Sequence, residues 1–200
     1  MVAATDWCVG LSHVECRVYT HQGNGHTAQV TISEQTKQRV RQRLGRTPRG
    51  LEAIAVSDAA GDPVVIRVAS LVDDKPFPTL FWLVDPDLSY RIDTVEAAGL
   101  IAQLQQRIDA DPALQVSMRA DHEAHIALRE SLMDNAVRER IRALQFESVF
   151  SQRGIGGIAD FSRIRCLHTW YAAHLVVPNT VGSLLDEWWQ SRVDTQAPAI

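Results

Sequence analysis

Apolar positions along the chain recur with two different periods, and the change of period divides the chain. Residues 51–84 carry short apolar runs bounded by turn formers. A strand is expected over 51–56, a second over 64–71 (VVIRVASL) and a third over 77–84 (FPTLFWLV). The turns between them are Ser57–Pro63 and Asp73–Pro76. Connections this short predict an antiparallel meander. Pro76 and Pro78 place the start of the third strand at an edge or ahead of the pairing. Beyond residue 85 the spacing becomes helical. Asp85-Pro86 and Asp111-Pro112 each read as an N-cap followed by proline in the first turn. Leu88, Ile92, Val95, Leu100, Leu104 and Ile108 follow, with Gly99 placed to split the run.

From Ala113 to about Phe146 the chain is expected to be one long, charge-laced helical stretch bearing Met118, His122, His125, Leu128 and Leu132. It would fold back on another helix or reach a partner. A loop is expected over 146–157, a helix over 160–177 capped by Asp160, and a last helix over 182–192. Upstream, Ser33 opens a helix that closes at Gly45. The fold expected is α+β: a small three-stranded antiparallel sheet packed against a mostly helical C-terminal half. Residues 1–32 read as an extension, disordered or a short β-ribbon around Gly23-Asn24-Gly25. Residues 33–192 read as a single domain and 193–200 as a frayed tail.

Charge and composition narrow the function classes. A net charge of −4 gives no electrostatic footprint for nucleic acid. No apolar run approaches the ~18 residues needed to span a membrane, and the N-terminus has no basic region followed by an apolar one. Cys8, Cys16 and Cys166 are too scattered for a disulfide framework, so a cytoplasmic location is expected.

Candidate chemistry concentrates in two places. In the first, Arg153, Gly154, Gly156, Gly157 and Arg163 surround the start of the 160–177 helix. Glycines that free the backbone, with arginines beside them, could hold the anion of a phosphate-bearing ligand; a plain connector is the ordinary alternative. The second is Asp121-His122-Glu123-Ala124-His125. His122 and His125, three residues apart, share a helical face. Joined by Cys166 or His168, they would make a three-ligand zinc site with one open position. On a regular 160–177 helix, Cys166 and His168 would point apart, so His122 is expected to approach that helix and complete the site. His122, Cys166 and His168 are also the catalytic candidates. The ordinary alternative is that these histidines are hydrogen-bonded core-edge residues.

Several segments carry a resemblance: Leu44-Gly45-Arg46-Thr47-Pro48-Arg49-Gly50, Pro76–Leu83, His122-Glu123, Gly156-Gly157, Asp160, Cys166-Leu167-His168, and Asn179 with Gly182. In this order they resemble the bacterial family called domain of unknown function 501, over roughly residues 35–192. The resemblance implies no assigned function. Its actinobacterial members are often encoded near an exopolyphosphatase and a coiled-coil septum protein, which points to phosphate metabolism or division. Many relatives have a second histidine seven residues after the cysteine, where this chain has Ala173 and then His174. Many have Asn-Pro-x-Gly where this chain has Asn179-Thr180-Val181-Gly182.

Two functions are therefore expected in competition. One is a Cys/His pocket between the 113–146 and 160–177 helices, binding a divalent metal (zinc is the candidate) or a phosphate-bearing ligand, with hydrolytic chemistry. The other is a non-catalytic adaptor docking a protein partner through the basic 37–49 segment and the long helix.

Overall fold

The computed structural model describes residues 32–196, with side chains as far as residue 192. The expectations for residues 1–31 and 197–200 lie outside the described residues. The first element is helix α1 (Glu34–Leu44). Ser33 Oγ accepts the Thr36 N–H, and Gly45 closes the helix in the left-handed region at φ 73°. The expected sheet follows as strands β1 (Leu51–Ser57), β2 (Pro63–Val68) and β5 (Phe81–Leu83), antiparallel in the order β1-β2-β5. Between β2 and β5 lies a small hairpin, β3 (Leu71–Val72) and β4 (Lys75–Pro76), turning through Asp73 and Asp74. Both aspartates have positive φ, the geometry of a tight hairpin turn.

The second and third strands are shorter than their apolar runs suggest. Pro76 and Pro78 have no N–H to give, so pairing with β2 resumes only near Leu80, whose carbonyl accepts the Val68 N–H. The intervening turn is held by the Phe77 N–H on the Ser70 carbonyl.

The helical half comprises α2 (Pro86–Ala97), α3 (Leu100–Ala110), α4 (Pro112–Leu132), α5 (Asn135–Ala143), α6 (Glu147–Gln152), α7 (Leu167–His174) and α8 (Thr180–Gln196), with a 3-10 turn at Ile155–Gly157. Asp85 and Asp111 cap α2 and α4 as their Asp-Pro signals require. Gly99, at φ 84°, separates α2 from α3.

Three expected boundaries are corrected. The long 113–146 helix breaks after Leu132, because Asp134 accepts the Val137 N–H and starts α5 afresh. The 146–157 stretch contains α6 rather than only loop. The 160–177 helix contracts to Leu167–His174, because the Asp160 carboxylate turns back on Ser162 N and Oγ instead of capping a helix.

The sheet separates two apolar clusters. On one side Val40 of α1 meets Ile66, Val68 and Val84. On the other, the main core joins β5 to α2, α3, α7 and α8 through Phe81, Ile92, Leu104, Leu167, Trp170 and Leu185. α7 runs through this core, with Leu167, Trp170 and Ala172 fully buried. Helix α1 is tied to the turns by Arg43. Its guanidinium reaches Asp58 at 3.1 Å, Asp62 at 3.2 Å, Asp85 at 2.7 Å and the Pro63 carbonyl at 3.1 Å. Arg43→Met keeps the stem and removes all four contacts. It should lower stability by about 2 kcal/mol, the order expected for charge-assisted bonds at a half-buried site. Urea unfolding of the two proteins at low and at high salt measures this, and the difference should narrow as salt screens the wild-type cluster.

Candidate functional site

α4 presents Met118, His122, His125 and Arg129 along one buried stripe. His122 is wholly buried between Phe161, stacked at a 4.5 Å centroid distance, and Trp170, edge-on at 4.7 Å. Its Nδ1 accepts the Ile155 N–H at 3.0 Å, so its hydrogen sits on Nε2, which has no partner. Gly154 lies directly beneath the ring, and a Cβ there would overlap His122 Nδ1 and Cγ. That close approach is why glycine stands at 154. Burial holds the His122 pKa down to about 4, with Arg119 adding to the effect. Burial and the neighbouring Arg129 hold His125 at about 3. Both rings are neutral at physiological pH.

Arg129, 1% exposed, has no carboxylate partner in the structure as described. It donates to the carbonyls of Pro78 at 2.8 Å, Arg153 at 2.7 Å and Phe150. It thereby fastens the end of α6 and the start of the glycine loop onto α4. The loop amides expected to face an anion are largely engaged. Gly154 N–H bonds Ile158 O, Ile155 N–H bonds His122, Gly157 N–H bonds Gly154 O and Ile158 N–H bonds Ile155 O. Arg153 donates to Gly157 O, and Arg163 lies 3.7 Å from Asp109. Gly156 and Gly157 sit at positive φ against Thr169 and Pro78.

His122 does meet the downstream segment, through Phe161 and Trp170, but it does not join Cys166 and His168. Those two residues come together without it. α7 begins only at Leu167, so Cys166 is an extended residue at φ −154°. Its Sγ reaches His168 Nδ1 at 3.6 Å, a pairing that a regular helix through both would forbid. The third member is Glu96, in the last turn of α2. Its Oε1 lies 3.5 Å from His168 Nδ1 and accepts the Leu167 N–H, serving as the α7 cap that Cys166 does not supply. Cys166 Sγ, a ring nitrogen of His168 and a carboxylate oxygen of Glu96 lie within 4.8 Å of one another, all partly exposed. The other face of the His168 ring is held too. Nε2 is 3.3 Å from the Ser89 carbonyl and 3.4 Å from Asp93. A carbonyl can only accept, so Nε2 carries a hydrogen and Nδ1 is the atom left for chemistry. The hydrogen bond to Cys166, followed by the Cys166 and Glu96 charges, raises the His168 pKa to about 9 against the opposing effect of burial.

The residues chosen from the sequence thus divide. Cys166 and His168 share a site with Glu96, while His122 and His125 belong to the core stripe and lie outside that cluster. Glu96, Asp93 and Ser89 were missed. One signal was available for Glu96: an acid in the last turn of a helix opposes the helix dipole, so it calls for another reason to be there. A second histidine network closes the α7–α8 junction. His174 Nδ1 accepts the Asn179 N–H, and its Nε2 donates to Asp186, which also accepts from Tyr171. Gly182 lies under the His174 ring as Gly154 lies under His122.

Two outcomes follow from the buried rings. Gly154→Ala should destabilise by about 2–3 kcal/mol, as overpacking in a tight core does. In a His122→Ala background the same change should cost much less, a coupling that a double-mutant cycle of unfolding free energies measures. The second outcome is acid sensitivity. The folded pKa values of His122 and His125 lie below the 6.5 of the unfolded chain. The unfolded chain therefore binds more protons as pH falls. The stability is complete above pH 6.5 and is lost towards 4 and 3, by up to about 1.4 kcal/mol per pH unit for each ring. His168 works the other way: its contribution is complete below 6.5 and is lost as pH rises through 9. Unfolding free energies from about pH 7 to pH 4.5 should fall steeply, and His125→Leu should remove one proton's worth of that slope.

Comparison with curated proteins and with solved structures gives no match. Residues 54–187 match the family described as "Protein of unknown function (DUF501)", and the chain belongs to that family.

Proposed function

We propose that the chain binds one divalent metal ion of the zinc class through Glu96, Cys166 and His168, at a centre suited to hydrolytic chemistry. The observation that carries this is the clustering of three unlike donors within 4.8 Å of one another, with His168 Nδ1 at tetrahedral spacing from the other two. Zinc bonds of about 2.3 Å to sulfur and 2.0–2.2 Å to nitrogen and oxygen put neighbouring ligand atoms roughly 3.3–3.6 Å apart. His168 Nδ1 stands 3.6 Å from Cys166 Sγ and 3.5 Å from Glu96 Oε1. The opposite ring nitrogen is fixed on a backbone carbonyl, the arrangement that orients metal-ligating histidines. Three protein ligands at a partly exposed site leave a position for water or substrate, and a bound ion of this kind lowers the pKa of such a water. The ion would take the place of the proton on His168, so loading should release protons and weaken as pH falls.

Less supports the other expectations. In the basic segment, Arg39 and Arg43 are held by Asp62 and its neighbours, Lys37 by Glu34, Arg49 by Asp73, and Arg46 lies over the Trp82 ring. Arg41 is exposed and outside these contacts, and a single cation is a small footprint for a docking face. At the glycine loop the N–H groups of Gly154, Ile155, Gly157 and Ile158 are already bonded within the chain. No helix among the described residues is long and apolar enough to cross a membrane.

Cobalt(II) titration tests the metal reading, in a background with Cys8 and Cys16 replaced by serine. The expected result is stoichiometric binding with thiolate-to-cobalt charge transfer and the intense visible bands of a tetrahedral site. Both should be lost in Cys166→Ala and His168→Ala. Glu96→Gln should weaken binding at least tenfold while leaving the Leu167 cap, and so the fold, in place. If cobalt and zinc fail to bind at micromolar concentrations, the metal reading is wrong. Cys166 and His168 would then be left as a thiol–imidazole pair.

A further inference from the structure

The three residues of the Glu96, Cys166 and His168 cluster are not held alike. Glu96 is committed to the fold whatever else it binds, because its Oε1 accepts the Leu167 N–H and starts α7. His168 is committed as well, with Nε2 3.3 Å from the Ser89 carbonyl and 3.4 Å from Asp93. Cys166 differs. It stands just ahead of α7 in extended backbone, at φ −154° and ψ 123°, and its side chain caps nothing. Its backbone is anchored separately, through the carbonyl that accepts the Thr169 hydroxyl at 3.0 Å. Among the described residues, the one polar contact of its Sγ is His168 Nδ1, at 3.6 Å. The thiol is partly exposed, and Cys166 is the one cysteine among the described residues.

Resting on the metal reading, we infer that the centre is under redox control: a peroxide oxidises Cys166, the ion leaves, and the fold stays. A thiol that coordinates a divalent ion is deprotonated, and the thiolate is the form that attacks an oxidant. A sulfur lone pair forms a bond to one peroxide oxygen, and the O–O bond breaks. Hydroxide departs with that electron pair and takes a proton from water. Sulfur has lost two electrons and the peroxide has gained them, leaving a sulfenic acid at Cys166. The thiolate charge that held the ion is gone. A carboxylate and an imidazole remain, one ligand short of the three that hold an ion at an open site. No contact that α2 or α7 depends on goes with it, since Glu96 still caps Leu167 and Ser89 still holds His168. Two small-molecule thiols reverse the step. The first bonds to the sulfenic sulfur as water leaves, giving a mixed disulfide. The second frees the Cys166 thiol and forms a disulfide between the two small thiols.

Hydrogen peroxide is the probe, applied to zinc-loaded protein in which Cys8 and Cys16 are replaced by serine. A chromophoric chelator too weak to draw zinc from the untreated protein reports release. The expected result is loss of the bound zinc in step with the gain of one oxygen at Cys166, which dimedone traps as the sulfenic acid. Far-UV circular dichroism and a cooperative thermal transition should persist in the oxidised protein. Dithiothreitol should restore the thiol and stoichiometric zinc binding. That recovery separates Cys166 from the methionines, whose sulfoxides are returned by dedicated reductases. A sulfenic acid at Cys166 with zinc retained overturns the proposal. So does an intact thiol with zinc retained under excess peroxide, and so does release from chains whose Cys166 is unmodified. Release accompanied by unfolding also overturns it, because the ion would then be a structural part of the fold. Protein that takes up no zinc before peroxide is added is a different result: it removes the metal reading, and redox control with it.

Discussion

The bond from the Leu167 N–H to the Glu96 carboxylate decides where α7 begins, and much of the functional geometry depends on that start. A helix needs an acceptor for its first amides. Cys166 does not supply one from its own side chain, so the cap comes from the last turn of α2. The same bond therefore fixes the phase of α7, the contact between α2 and α7, and the conformation of Cys166 just outside the helix. Had the helix started at Asp160, Cys166 and His168 would be about 200° apart around it. Because it starts one residue after the cysteine, the thiol swings beside the imidazole and Glu96 closes the third side. The oxygen that accepts the amide also lies nearest His168, so a structural cap and a candidate ligand are the same group.

Burial and hydrogen bonding then give the chain's histidines opposite characters. His122 and His125 sit in the core stripe of α4, where desolvation keeps them neutral; Arg119 strengthens the effect at His122 and Arg129 at His125. His168, partly exposed and hydrogen-bonded to Cys166, with Glu96 and the Ser89 carbonyl beside it, is pushed the other way. Arg129 is a buried cation whose hydrogen bonds all go to carbonyls, with its guanidinium over the Phe150 ring. Replacing a well-hydrated guanidinium by three carbonyl contacts is a poor exchange unless those carbonyls would otherwise be stranded. They belong to the proline-bounded loop before β5 and to the end of α6, where the ladders and helices leave them without amide partners. Arg129 closes an irregular region that regular secondary structure does not reach.

Much of the fold was legible because it rests on local signals. Ser33 and Gly45, Asp85-Pro86, Gly99 and Asp111-Pro112 each act within one turn, and each sets a boundary where the residue types place it. Failures came where a distant group competed with a local signal. Asp160 has the residue type of a cap, but its carboxylate is satisfied two residues away by Ser162, and the actual cap lies 71 residues distant in Glu96. Asp134, also a cap by type, is masked by the helix-permissive residues on both sides of it. The site divided on the same line. Cys166 and His168 could be chosen by residue type, whereas their partner could be found only from the packing of α2 against α7. The glycines at 154, 156 and 157 suggested an open anion loop. Rings and side chains pressed onto their backbones give a separate reason for glycine there, and a sequence does not show what approaches a missing Cβ.

That last distinction applies beyond this loop. Gly154 and Gly182 have the same surroundings: a histidine ring on the backbone, with the ring's Nδ1 receiving a nearby amide N–H. The imidazole in each case serves as a rigid acceptor for a loop with no strand to pair with, and glycine is the only residue that lets it approach. A histidine bound in this way spends its Nδ1 lone pair on an amide and carries its hydrogen on Nε2, so no lone pair is left to take a proton or enter a metal shell. His168 alone among the histidines of this half keeps an Nδ1 facing a thiol and a carboxylate rather than an amide. Proximity of histidine to glycine in a sequence is therefore weak evidence for a catalytic loop. The nitrogen that receives no backbone N–H is the better guide to where the chemistry lies.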